Sequence, residues 1–500
     1  MELRHVEPVR VAGALSARWP HALLAAVVVL TLLRFAAGAV LPLSADEAYY
    51  WLWSRHLAAG YYDHPPLIAF AIRAGTALFG NTAFAIRCAG LALSVAASWA
   101  VWQTAKLTLP ERPAAAWACL FFNLTLMVAV EAMAATPDAP VIAAAAFFLY
   151  FLARVEAGHG GQWWLAAGIA AGIGLLSKYT ALFFGAGALV WLLADPRGRR
   201  WLLSPWPYAG GLIALLIFLP NLLWNARHDW MTFAFQFGRV DRGPFTLRFL
   251  GEFVAAQFGM ATPFIFILAL FGLFVRDGRS RLAAAMIWPA AAYFLFHALH
   301  DRVQGNWPSF LFPALALCAA DAMFRIYPTG WRARLVEFSR KAAVPVAALM
   351  LGLVYLQAVT GILPLGRKDP LQRLLAFGFA QTANDIVAVA QKHHAVALLT
   401  TEYKTTAWLR YYLLKENVAV VPVDEPWRWL MTPSASKALL SQPLLYVANV
   451  RQDGVATVAQ MFDTVRDCGT VTRSRGNQPI DRYRLYCVSG AKPGVQGRIP

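Results

Sequence analysis

The sequence predicts an all-α polytopic membrane protein with a small α/β soluble domain at its C-terminal end, and three observations carry that prediction. Of 500 residues, 59% are hydrophobic and 14% charged, against about 45–50% and about 25% in soluble domains, and the mean hydropathy is +0.50. Apolar runs of membrane-spanning length recur from residue 21 to residue 364. Lys and Arg gather in alternate loops, so the formal charge of +17 has a topological origin and does not call for a nucleic-acid partner.

Taken in order, the runs lie near residues 21–42, 84–105, 113–130, 138–153, 163–177, 180–194, 201–223, 253–275, 282–299, 308–324 and 342–364. That makes about eleven helices, with a merged or re-entrant pair among the three short runs between 138 and 194 changing the count. With the N-terminus inside, the cytoplasmic loops hold Lys106, Arg112, Arg154, Arg197, Arg199, Arg200, Arg276, Arg279, Arg281, Arg325, Arg332, Arg334, Arg340 and Lys341, the positive-inside pattern. The other face receives 43–83, 131–137, 177–180, 224–252, 299–307 and everything after 366. The first run follows Arg4, Arg10 and Arg18 and is too long for a cleaved signal, so it reads as a signal anchor.

Residues 367–500 are more polar and alternate short strands ("AVALLTT", "NVAVVPV", "PLLYVANV", "YRLYCVS") with helical stretches such as 402–415, the pattern of a small exported α/β domain. The divisions expected are therefore 1–366 in the membrane and 367–500 outside it. Cys88, Cys119 and Cys318 lie in apolar runs as packing residues. Cys468 and Cys487 flank a hairpin where an oxidising compartment permits a disulfide.

Polar residues with chemical potential gather on the outer face. "LSADEAYYWLW" places Asp46 and Glu47 directly after the first run. The pair is either a solvated helix end or, with Tyr49, Tyr50, Trp51 and Trp53 forming an interfacial amphipathic helix, a pair of carboxylates held at headgroup depth to act as a base or hold a cation. "YYDHPP" presents Asp63 and His64 from a turn fixed by Pro65 and Pro66. "ATPDAP" puts Asp138 at a helix start, where capping and catalysis are both open. "LLSKYT" places Lys178 and Tyr179 between apolar runs, where a lysine snorkels or binds an anion. Arg239 and Arg302, with Asn306, lie in outer loops that topology should keep poor in cations, and anion binding explains them economically. Arg34, inside the first run, reads as a snorkelling residue or a contact to a lipid phosphate. Carboxylates at one edge and cations at another suit a substrate with a phosphate leaving group, and membrane depth puts that phosphate on a lipid.

In this order, "SADEAYYWLW", "YYDHPP", "TPDAP", "LLSKYT" and "NWP" resemble the GT-C superfamily of polyprenyl-phosphate-sugar-dependent glycosyltransferases. The resemblance is to the protein O-mannosyltransferase-like and aminoarabinose-transferase-like enzymes and the lipopolysaccharide-core galacturonosyltransferases, over residues 20–325. It implies a helical bundle of GT-C type with amphipathic helices in the first outer loop and a cavity open to the periplasm. It further implies an inverting transfer from a polyprenyl-phosphate (undecaprenyl-phosphate) sugar to a glycolipid or other envelope acceptor at the bacterial inner membrane. By that resemblance Asp46 is the acceptor-activating base, with Glu47 supporting it or a divalent cation, and Asp138 is the second acidic position. In the aminoarabinose transferases the residue before the paired prolines is Lys, where this chain has His64; Lys178, Arg239 or Arg302 then supplies the phosphate clamp. Metal dependence varies in the family, and no His/Cys ligand spacing settles it here. Protein Ser/Thr as acceptor, a lipid or sugar transporter, and an envelope assembly protein are the alternatives. A transporter predicts mid-membrane charges and repeat symmetry, and the enzyme predicts that Asp46, His64, Asp138 and Lys178 converge on one cavity.

Overall fold

The computed structural model describes residues 18–238, 243–274, 281–326, 329–363, 365–416 and 418–499. Each expected apolar run becomes helix, but they are not all single straight spans. Five described helices are long and apolar enough to cross a membrane: α1 (Arg18–Val40), α4 (Ala83–Thr108), α7 (Asp138–Glu156), Pro205–Ala226 and Trp331–Thr360. The count rises to seven if two sharply bent pairs, Tyr179–Ala194 with Pro196–Leu203 and Arg248–Met260 with Pro263–Leu273, are each one span.

The breaks have local causes. The run at 113–130 divides into α5 (Ala114–Leu124) and α6 (Leu126–Glu131), because Thr125 leaves helical geometry and its side chain caps the second piece. The run at 253–275 breaks where Thr262 takes a positive φ of 61° just before Pro263, a residue that cannot continue the preceding helix. Shorter apolar helices complete the bundle, including α3 (Leu67–Phe79) and α8 (Trp163–Ser177).

The segment between α1 and α4 does not hold the interfacial amphipathic helix that its aromatic residues suggest. Its helix α2 (Ala45–Arg55) is buried in protein: Tyr49, Trp51 and Trp53 are at most 2% exposed. It lies between α3 and the later helix Tyr403–Tyr412. The aromatic residues that suggested a headgroup belt form a protein core instead, with Trp53 stacked on Tyr61 at 4.2 Å and Tyr49 edge-on to Trp429 at 5.3 Å.

Beyond Pro370 the chain builds one five-stranded sheet of order β2-β1-β3-β5-β4. Strands β1 (Ala397–Thr400), β2 (Ala419–Pro422) and β3 (Leu444–Asn449) pair in parallel, and β4 (Phe462–Arg475) and β5 (Gln478–Ala491) add an antiparallel hairpin. Cys468 and Cys487 join across that hairpin, their Cα atoms 5.8 Å apart. The core beneath the sheet, including Phe379, Leu398 and Leu445, is continuous with Tyr49, Trp51 and Trp53 of α2. Sheet and α2 therefore bury their apolar surface in each other.

Candidate active site

A capping box starts α2. Ser44 Oγ accepts from the Glu47 amide, and Glu47 Oε2 accepts from the Ser44 amide at 2.8 Å. Glu47 then turns inward to Arg87 of α4, which bonds both its carboxylate oxygens, at 2.6 and 2.7 Å. Arg87 also donates to the carbonyls of Gly38, Leu41 and Pro42, closing the end of α1. The Ala135 amide takes the remaining valence of Glu47 Oε1. Burial pushes the Glu47 carboxyl up, but Arg87 and the backbone donors outweigh it and hold it below its ordinary range. Glu47 thus ties α2 to α4 and to the end of α1, with both its oxygens taken up by Arg87 and backbone amides. With both Glu47 oxygens engaged in this way, the Asp46–Glu47 pair does not fit a metal ion.

Asp46, one residue earlier, points the other way. It lines a cavity of about 530 Å3 together with Tyr50, His64, Asp138, Lys178, Tyr179 and Asn306. Asp46 Oδ1 accepts from Tyr403 Oη at 2.9 Å. Burial raises its pKa, with the Tyr403 hydrogen bond and the Lys404 charge pulling in the opposite direction. Both are features that suit a base working near neutral pH.

Asp138 opens α7 without capping it. Pro137 stands at the N-cap with no side-chain bond, and the Asp138 carboxylate reaches away from its own helix. It accepts from Lys178 Nζ at 2.8 Å, from Asn306 Nδ2 at 3.0 Å and from Ser309 Oγ. Lys178 ends α8 and is 7% exposed, so it is held at the cavity wall by its partner and is not snorkelling to headgroups. Tyr179 is fixed by Asn221 at 3.0 Å and stacks on Phe233 at 4.6 Å. The rest of the wall is largely apolar, with Leu182, Phe183, Phe237, Tyr293, Phe294 and Trp307.

Other expected site residues are elsewhere. Asp63 accepts from Tyr49 Oη at 2.7 Å and pairs with Arg428, so it straps the segment after α2 to the sheet unit. Arg302 is an exposed residue paired with Glu252 at 3.0 Å, outside the cavity wall. Arg34 neither snorkels nor faces lipid phosphate. It is 2% exposed and donates to Asn123 Oδ1 at 2.6 Å inside the bundle. Arg239 lies outside the described residues.

Several residues escaped the sequence reading. The Ser44–Glu47 spacing was a legible capping-box signal. Glu131, at the end of an apolar run, accepts from Thr136 Oγ1 at 2.7 Å beside the Asp138 cluster. Gln236 and Gln304 line the cavity with nothing to mark them in sequence, beside Trp307 of the "NWP" motif. Tyr403 and Arg428 come from more than 350 residues away.

The chain is similar in sequence and in fold to known glycosyltransferases. Residues 63–224 match the model of the dolichyl-phosphate-mannose-protein mannosyltransferase family. The chain is 28% identical to the lipid A galacturonosyltransferase RgtD of Rhizobium johnstonii over 89% of its own length and 92% of that protein's. It is 31% identical to the lipopolysaccharide core galacturonosyltransferase RgtB of the same organism, over 41% of this chain and 42% of that one. Its fold is that of ArnT from Cupriavidus metallidurans bound to undecaprenyl phosphate, with a TM-score of 0.62 at 17% identity, covering 94% of this chain and 98% of that one.

Proposed function

We propose that the chain is an inverting transferase that moves a sugar from a polyprenyl-phosphate donor to a glycolipid or lipopolysaccharide acceptor, on the periplasmic face of the bacterial inner membrane. The observation that carries this reading is that Asp46, Asp138 and Lys178 meet on one cavity whose remaining wall is largely apolar. Such a wall matches a donor that is an anion at one end and a hydrocarbon at the other. The relation to RgtD and the fold shared with ArnT support the same donor and acceptor classes.

In this reading Asp138, itself fixed by Asn306 and Ser309, aims the Lys178 ammonium at the donor phosphate. There the ammonium stabilises charge as the bond between the anomeric carbon and the phosphate oxygen breaks. Asp46 takes the acceptor proton as the acceptor oxygen attacks from the opposite side, which inverts the anomeric centre. His64 and Tyr179 shape the sugar end. About eleven crossings, fewer where a bent pair makes one, form the membrane unit of residues 1–366, and residues 367–500 form an exported one.

The test reconstitutes wild type, Asp46→Asn and Lys178→Met in lipid with a panel of undecaprenyl-phosphate sugars and extracted envelope acceptors, following free undecaprenyl phosphate by mass spectrometry. Acceptor-dependent release by wild type that collapses in folded Asp46→Asn and falls about 10²-fold in Lys178→Met is expected, the scale for one electrostatic stabiliser. No release from any donor by folded wild type refutes the reading. The mannosyltransferase family match over 63–224 favours a second acceptor, Ser or Thr of an exported protein. Adding an unglycosylated Ser/Thr-rich peptide to the same assay separates the two.

A further inference from the structure

We propose that Tyr403, which belongs to the C-terminal sheet unit, is a positioning residue for the transfer, holding one oxygen of Asp46 so that the other receives the acceptor proton. The inference rests on the reading of Asp46 as the base. Tyr403 is the first residue of the helix that follows β1, so the sheet unit delivers it to Asp46 at the cavity wall. Its hydroxyl donates to Asp46 Oδ1 at 2.9 Å, and Asp46 Oδ2 has no hydrogen-bond partner among the described residues.

The ring cannot swing away. Tyr49, one helical turn beyond Asp46, packs on it at 5.2 Å, and the Arg428 guanidinium lies 4.9 Å from its centroid. Arg428 is in turn fixed by Asp63 and Glu425. A side chain clamped this way restricts the Asp46 carboxylate to one rotamer. In the transfer the acceptor O–H bond breaks with its proton passing to Oδ2. The acceptor oxygen bonds the anomeric carbon, and the electron pair of the departing bond leaves on the phosphate.

The charged and titratable groups acting on Asp46 are Tyr403 and Lys404 from the sheet unit, Glu47 and Tyr50 on its own helix, Asp63 in the following turn and Glu131 at the end of α6. Burial favours the protonated acid, and the Tyr403 hydroxyl opposes it by bonding the ionised form. Without that hydroxyl the base ionises at higher pH.

The experiment measures kcat and donor KM from pH 4 to 9 for wild type, Tyr403→Phe and Asp46→Asn in the reconstituted assay. Tyr403→Phe keeps the ring and its packing. It is expected to lower kcat about 10- to 100-fold, the scale for losing a hydrogen bond to a charged group, with donor KM unchanged and the acid limb moved to higher pH. A wild-type kcat and an unmoved acid limb in Tyr403→Phe, beside an inactive Asp46→Asn, overturn this inference and leave the proposed function standing. Full activity in Asp46→Asn removes the base and both readings with it. Incorporating 3,5-difluorotyrosine at 403 keeps the fold and strengthens the donor. It should move the acid limb to lower pH, and an unmoved limb there also overturns the inference.

Discussion

Replacing either member of the Glu47–Arg87 pair should unfold this protein before it alters its chemistry. Both side chains are 1% exposed, so each variant leaves the partner's charge buried, which costs about 3–5 kcal/mol. The two variants should differ within that range. In Glu47→Gln the Arg87 guanidinium keeps the carbonyls of Gly38, Leu41 and Pro42, which places the loss at about 3 kcal/mol, the lower end. In Arg87→Met the Glu47 carboxylate keeps only backbone amides and three carbonyls lose their donor, which places it at about 5 kcal/mol. The double variant should lose less than the sum, with a coupling of about 2 kcal/mol. The assay is a denaturant titration of the purified protein in mixed micelles, read by tryptophan fluorescence, with kcat per folded molecule measured alongside. A Glu47→Gln protein with a wild-type midpoint and a collapsed kcat would refute the reasoning and return Glu47 to the chemistry.

The same shifts fix a pH dependence. Glu47 is held below its ordinary range, so its contribution is present above about pH 4.3 and lost as pH falls through its folded-state value. Stability should hold from neutral to about pH 5 and fail only in stronger acid. Asp46 is raised, so its contribution is lost as pH rises through its folded-state value. Asp46→Asn should therefore be at least as stable as wild type at pH 7 while inactive, seen by comparing melting with turnover. Arg302→Ala should leave kcat and donor KM within about twofold, as expected for an exposed ion pair; a hundredfold loss would put Arg302 in the site. Cys468→Ser should cost about 3 kcal/mol in the chain-entropy account of a loop this size and open β4–β5 to protease, read as a new fragment on gels.

How much of this was legible followed from whether the signal was local. Each apolar run became a helix or a broken pair of helices, because length and composition suffice for that. Lys178 and Asp138 stood out because charge within apolar surroundings demands a reason. Asp46 and Glu47 could not be told apart by composition. Successive helical residues point about 100° apart, so one faces the cavity and the other faces Arg87, which was hidden inside an apolar run. Asp63 reads in sequence as a substrate-binding residue because its partner Arg428 stands 365 residues later. The aromatic cluster after Asp46 resembles a membrane belt for the same reason: the sheet that covers it lies at the other end of the chain.

The strap between Asp63 and Arg428 has a consequence for recombination. Exchanging the segment after residue 366 with that of a related enzyme would bring in a foreign surface against α2, leaving Asp63 and Tyr49 facing groups they were not matched to. A graft that carries residues 43–66 together with 402–431 keeps both halves of the seam. Crossover points in such hybrids are thus set by this pairing, and the two distant segments behave as one inherited unit.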